Sequence, residues 1–258
     1  MKDEEAMRRF VYWYLPLFAA LIAASVFGYG FVMFLRGDTG APVDVAPVSA
    51  VAANASAQEL IPLVVGDSLA RGTGDETGRG IPARLDDELR TRHIRSRRTL
   101  NLGYDGARTT DLLHHLETPN VRRLIAESNV VIVSIGGNDL WRGADWRTAA
   151  PPNPDGVMND VLGRIEKVIA TIRALNPKAR IFFVGLYNPF GATPQGRMLN
   201  AMVNRWNGRL LDRFGGDPNF TLVQTADLFS HHDRLAIDRF HPDGEGYALI
   251  ARRIADGV

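Results

Sequence analysis

The chain is predicted to fold as an α/β three-layer sandwich. A central, mostly parallel sheet of about five strands carries helices on both faces and is preceded by one membrane-spanning helix. Three observations predict this. Short apolar runs alternate with longer segments whose apolar residues recur at helical spacing. The short runs are nearly continuous, as strands buried on both faces require. An uncharged apolar run at residues 10–35 stands before all of them, and a spanning helix needs about 20 residues.

Lys2, Arg8 and Arg9 precede that first run, whereas only Arg36 follows it before Arg71. The positive-inside rule therefore assigns residues 1–9 to the cytoplasm, 10–35 to the membrane and the rest to the far side. Tyr12, Trp13 and Tyr14 suit an interfacial belt, and Pro16, Gly28 and Gly30 are tolerated in bilayer helices. The competing reading is a cleaved signal peptide, whose apolar region runs about 7–15 residues with a small-residue site close behind. Here the tidy site, Ala55-Ser56-Ala57, lies about twenty residues beyond the run. Both readings put residues 60–258 outside the cytoplasm. Residues 36–59, rich in Ala, Val, Pro, Gly and Asp, cannot offset their ordering entropy by burial and are expected to form a flexible linker.

Residues 60–65 then read as a buried strand leading into Gly66, residues 81–89 as a helix and 99–102 as a short strand. Residues 129–135 form another apolar run, closed by Gly136-Gly137. Val161, Ile165, Val168, Ile169 and Ile172 mark a helix over 157–175, stopped by Asn176-Pro177. A strand at 181–186, a helix at 199–214 and a strand at 220–223 follow. The last helix, 244–254, places Tyr247, Ile250 and Ile254 on one face, with Asp243 as N-cap.

A chain of 258 residues, 45% hydrophobic, can bury a full core in one domain or at most two. Thirty basic against 29 acidic side chains leave a net charge of +1, which gives nucleic acid no global field to follow. Arg95, Arg97 and Arg98 read as a solvated face. The absence of cysteine excludes disulfides, a thiol nucleophile and thiolate metal sites. His114-His115 and His231-His232-Asp233 lack a second ligand four residues on, so neither a metal nor another cofactor is expected.

Four short stretches carry chemistry, three of them at the C-terminal ends of predicted strands, where open α/β sheets place their sites. Ser68, in Gly66-Asp67-Ser68-Leu69, can project a hydroxyl from the sheet edge, although an N-capping serine looks the same. Asp67 is expected to fix the turn by hydrogen bonds. Asp238 and His241 are close enough to pair as base and orienting carboxylate, or simply to form a helix-entry loop. Gly136-Gly137-Asn138-Asp139 offers close backbone approach and a neutral amide donor, or a tight turn. Gly103 and Gly106, after the strand at 99–102, have the same two readings.

In that order, the four stretches resemble the SGNH hydrolases, the GDSL esterase/lipase family, over residues 60–254. The resemblance implies a flavodoxin-like hydrolase domain at 60–258 and a bacterial secreted or membrane-anchored branch. It also implies a Ser68, His241 and Asp238 triad, with an oxyanion hole from Ser68, Gly106 and Asn138. Tyr104 and Asp105 depart from the commoner form of the glycine block, which leaves Gly103 or Gly106 as donor. The function it implies is extracytoplasmic hydrolysis of a lipid, a short acyl ester or an O-acylated cell-envelope polysaccharide. The competing reading is a non-catalytic module of the same fold that holds a glycan. Trp141 and Tyr187, just past strand ends, are the pocket candidates, and the loop from Trp141 to Pro154 is a candidate cover. No signal of oligomeric state is present.

Overall fold

The computed structural model describes residues 10–35, 58–141, 153–191, 196–229 and 232–258. The chain divides into two units, Met1–Ala55 and Ser56–Val258. In the first, a π-helical turn, Phe10–Tyr14, runs into helix α1, Leu15–Leu35. Pro16 is the second residue of α1, which follows directly on that π-helical turn. The stretch Phe10–Val32 is long and apolar enough to cross a membrane, or to serve as a signal sequence. At 1.5 Å per residue it extends about 35 Å. The Ser25 hydroxyl donates to the Leu21 carbonyl at 2.8 Å, so this polar group is satisfied within the helix.

The second unit is built on five parallel strands: β1 Pro62–Gly66, β2 Leu100–Gly103, β3 Val130–Ser134, β4 Arg180–Val184 and β5 Phe220–Val223. Their spatial order is β2-β1-β3-β4-β5. Around them lie α2 Ser68–Arg71, α3 Gly80–Thr91, α4 Thr109–His115, α5 Pro119–Glu127, α6 Gly137–Trp141, α7 Pro154–Leu175, α8 Gly196–Phe214 and α9 Gly244–Ala255.

Side chains of a strand alternate between faces, and here both faces are covered. Leu63, Val65, Val131 and Phe183 pack in a cluster with Ile165 and Ile172 of α7 and Leu210 of α8. Val64, Ile132 and Phe182 pack with Ile81 and Leu85 of α3 and Ile250 and Ile254 of α9. Each such buried aliphatic side chain is worth roughly 1.5–3 kcal/mol relative to exposure.

The strands and long helices fall where the sequence puts them, with shifted ends. β1 starts at Pro62 instead of residue 60, because Leu60 makes only an isolated bridge to Ser96. β4 stops at Val184 instead of residue 186, since the Leu186 N–H turns to the side chain of Asn207 at 2.9 Å. Helices α4 and α5 were not foreseen. Each is short and buries only two residues, Thr109 and Leu112 in one, Val121 and Ile125 in the other.

Candidate active site

The strand order reverses at β1, which has β2 on one side and β3 on the other. Doubly wound sheets bind ligands in the crevice beyond the carboxyl ends of such strands. Gly66 closes β1 with φ 136°, and a Cβ there would lie 1.8 Å from the Ser134 carbonyl oxygen. Only glycine lets the chain turn so tightly against β3. Asp67 then caps α2: its Oδ1 accepts the Leu69 N–H at 3.1 Å and the Ser134 hydroxyl at 2.9 Å. Burial pushes the Asp67 carboxyl up to about 6, although those hydrogen bonds oppose the shift. Ser68 is the first residue of α2, where a helix has no internal partner for its N–H.

Asp238 and His241 reach the same place from the far edge of the sheet, on a loop after the 3₁₀ turn His232–Arg234. The loop is folded back by the N–H of Ala236 donating to the His241 carbonyl at 2.8 Å, and Arg239 takes the left-handed conformation, φ 53°. Asp238 Oδ1 accepts the N–H groups of Phe240 at 2.9 Å and His241 at 3.0 Å. Its Oδ2 lies 2.6 Å from His241 Nδ1, and His241 Nε2 lies 2.9 Å from Ser68 Oγ. Partial burial pushes the Asp238 carboxyl up, but the hydrogen bonds from His241 and the two N–H groups outweigh it and hold the group below its ordinary value. The imidazole is mostly shielded, its side chain 16% exposed. Gly74 makes room for this loop: a Cβ on it would come within 2.6 Å of both His241 Cβ and the Pro242 carbonyl.

The two candidate glycines differ. The Gly103 N–H donates to Asn101 Oδ1 at 2.9 Å, and a Cβ there would lie 2.4 Å from the Arg71 nitrogen. Its smallness serves the packing of α2 on β2. Gly106 has φ 75° and open space where a Cβ would stand, and its N–H takes no partner among the described residues. Asn138, in α6, donates one N–H of its amide to the Ala107 carbonyl at 2.9 Å, which leaves the other available.

The cleft at this point is lined by Ser68, Asn138 and His241 together with Ile135, Val184, Leu186, Tyr187 and Phe240. Tyr187 is only 8% exposed; its ring centroid sits 4.2 Å from that of Phe229, and its hydroxyl donates to the Phe240 carbonyl at 2.7 Å. Burial, with nearby carboxylates adding, holds that phenol well above its ordinary value. Trp141 ends α6 with its side chain outside the described residues, as is most of the candidate cover over 142–152. Of the histidine pairs, His231 lies outside the described residues. His115 packs edge-on to Tyr104, with ring centroids 5.6 Å apart. Sequence reasoning missed Asp75 and Asp139 as structural centres, since their partners are remote along the chain.

A fold of this class with a hydroxyl, imidazole and carboxylate in series belongs among the hydrolases of acyl compounds, and the comparisons narrow the assignment. The profile of the GDSL-like Lipase/Acylhydrolase family matches residues 64–249, and the chain belongs to that family. The uncharacterized protein YpmR of Bacillus subtilis is 32% identical over 210 residues, which cover 78% of this chain and 82% of that protein. Platelet-activating factor acetylhydrolase IB subunit alpha2 of Homo sapiens is 29% identical over 163 residues, 59% of this chain and 61% of that one. Among solved structures, a lipase from a goat rumen metagenome superimposes with a TM-score of 0.67 at 19% identity, covering 76% of this chain and 96% of that one. An acetyl-xylooligosaccharide esterase of Geobacillus gives 0.58 at 18% identity, covering 76% and 93%. These two likenesses carry the fold alone.

Proposed function

We propose that the chain is a membrane-tethered serine esterase that hydrolyses acyl esters outside the cytoplasm. The observation that carries this reading is the continuous series Asp238–His241–Ser68, with contacts of 2.6 and 2.9 Å. His241 Nε2 takes the Ser68 proton as Oγ attacks the ester carbonyl, and Asp238 orients and stabilises the imidazolium. The oxyanion of the tetrahedral intermediate is held by the N–H groups of Ser68 and Gly106 and the free N–H of Asn138. One such donor is typically worth about 2.7–4 kcal/mol of barrier. The alcohol leaves with the proton from His241, and water activated by the same histidine releases the acid. Gly106 is favoured over Gly103 as donor because the Gly103 N–H is already engaged by Asn101.

The apolar wall of Ile135, Val184 and Leu186, backed by the anchored Tyr187, favours a short acyl group. Two relatives named above, an acetylhydrolase and an acetyl-xylooligosaccharide esterase, point to the same size. A cell-envelope ester fits a tether at residues 10–35 whose Lys2, Arg8 and Arg9 precede it, with only Arg36 following before Arg71.

The test is hydrolysis of p-nitrophenyl acetate, butyrate and palmitate by the detergent-solubilised chain and by Ser68→Ala and His241→Ala. Each variant should lower kcat by roughly 10,000-fold or more with its fold intact, and acetate or butyrate should be preferred. Activity that survives loss of Ser68 would reject the nucleophile. A reporter enzyme fused behind Val65 should be active only outside the cytoplasm; cytoplasmic signal would overturn the orientation.

A further inference from the structure

Asp139 stands beside the oxyanion residue Asn138 in sequence, yet it is absent from the lining of the cleft. Its side chain is only 4% exposed, and every bond it makes is to another part of the fold. Oδ2 accepts the N–H of Thr109 at 2.8 Å, and Oδ1 accepts the Thr109 hydroxyl at 2.6 Å. Arg164, from the long helix α7, donates through Nε to Thr109 Oγ1 at 2.7 Å and through Nη2 to Asp139 Oδ1 at 3.3 Å. Thr109, itself fully buried, is the first residue of α4 and lies three residues beyond Gly106. A second tie, from the Asn138 amide to the Ala107 carbonyl, joins the same two segments. The two donors that the proposed mechanism draws from different strands are therefore cross-linked at two points.

We propose that Asp139 is a positioning residue for the oxyanion hole. The Thr109–Asp139–Arg164 cluster sets the spacing and angle between the Gly106 N–H and the Asn138 amide. This rests on the esterase reading given above. Such donors must stand about 2.7–3.1 Å from where the oxyanion will be, not from the ground-state carbonyl. A change in their spacing is therefore felt in the transition state more than in substrate binding. Asparagine at 139 keeps the size but loses one acceptor oxygen and the charge facing Arg164.

The experiment is a double-mutant cycle on p-nitrophenyl acetate with the full chain in detergent, comparing wild type, Asp139→Asn, Asn138→Ala and the double variant. Asp139→Asn is expected to lower kcat about 10- to 100-fold while KM moves by less than about threefold. In the Asn138→Ala background the same change should cost less than about threefold, because the group it positions is gone. An equal loss in both backgrounds would overturn the proposal and leave Asp139 a purely structural residue. If Asp139→Asn does not fold, Thr109→Val takes its place in the cycle, with Thr109→Ser recovering most of the rate. Equal losses for Val and Ser would again overturn it. Absence of Ser68-dependent hydrolysis in the wild type would bring down the esterase reading and this one together. An additive cycle in an active wild type would bring down this one alone.

Discussion

Asp67 illustrates how a residue next to the proposed nucleophile is used for shape at a cost in stability. It is 7% exposed, caps α2 through Leu69 and accepts the Ser134 hydroxyl. Burial raises its carboxyl from 3.8 to about 6, a difference of roughly 3 kcal/mol. The folded chain thus holds this proton more tightly than the unfolded chain. The penalty for ionising Asp67 is fully present above pH 6, shrinks as the pH falls through that value, and is gone below 3.8. Asparagine caps helices as well as aspartate and keeps an acceptor for Leu69 and Ser134. Asp67→Asn should therefore melt several degrees above wild type at pH 8, with the gap closing toward pH 4. A gap of the same size at both pH values would show that burial does not make this carboxylate costly. At this scale the motif residues were legible because local spacing carries them: Asp238 and His241 are three apart. Asp67 was read correctly as a turn-fixing residue, but its partner Ser134 lies 67 residues away and no local pattern signals it.

Between elements, the loop after α2 does comparable work for the histidine. Asp75, its side chain wholly buried, accepts Arg84 Nε at 2.8 Å, the Thr77 N–H at 2.9 Å and the Gly80 N–H at 2.9 Å. Burial alone would raise its carboxyl; these donors outweigh it and hold the group far below the usual carboxylate range. Glu76 then accepts the N–H of Gly244, which opens α9, at 3.1 Å. The segment so fixed presents Gly74 to the His241 loop. The stability from Asp75 is present above the ordinary carboxylate value, about 3.9, and is lost as the pH falls below it. Asp75→Asn leaves Arg84, 17% exposed on its side chain, facing a neutral amide. A cost of roughly 3 kcal/mol is expected, read as a lower urea midpoint at unchanged slope. An unchanged midpoint would mean that glycine packing alone holds the loop. The long helices α7 and α8 were legible because a sustained 3.6-residue period survives in them. Helices α4 and α5 were not, since two buried residues apiece make no period.

Across the molecule, a parallel sheet was legible from continuous apolar strands, but the order β2-β1-β3-β4-β5 was not. That order depends on which strands meet after long crossovers, and apolar runs of similar composition do not encode it. It matters because it sets β1, which leads to Ser68, between β2 and β3, which lead to Gly106 and Asn138, while His241 returns to Ser68 across 173 residues. The core of Ser56–Val258 closes on itself: both faces of its sheet are covered by its own helices. In the first unit, Phe27 of α1 is 81% exposed and Trp13, in the turn before it, 75%. The stretch Phe10–Val32 is long and apolar enough to be a membrane span or a signal sequence. A fragment spanning residues 56–258 should therefore be soluble without detergent and unfold in one transition. Its melting temperature should match that of the solubilised full chain within about 2 °C, less than 1 kcal/mol for a domain of this size. Its kcat/KM on p-nitrophenyl acetate should also match, since every group of the proposed site lies in 66–241. A fragment that melts much lower would show that residues 1–55 belong to the core. One that keeps its fold but loses activity would show that they complete the site.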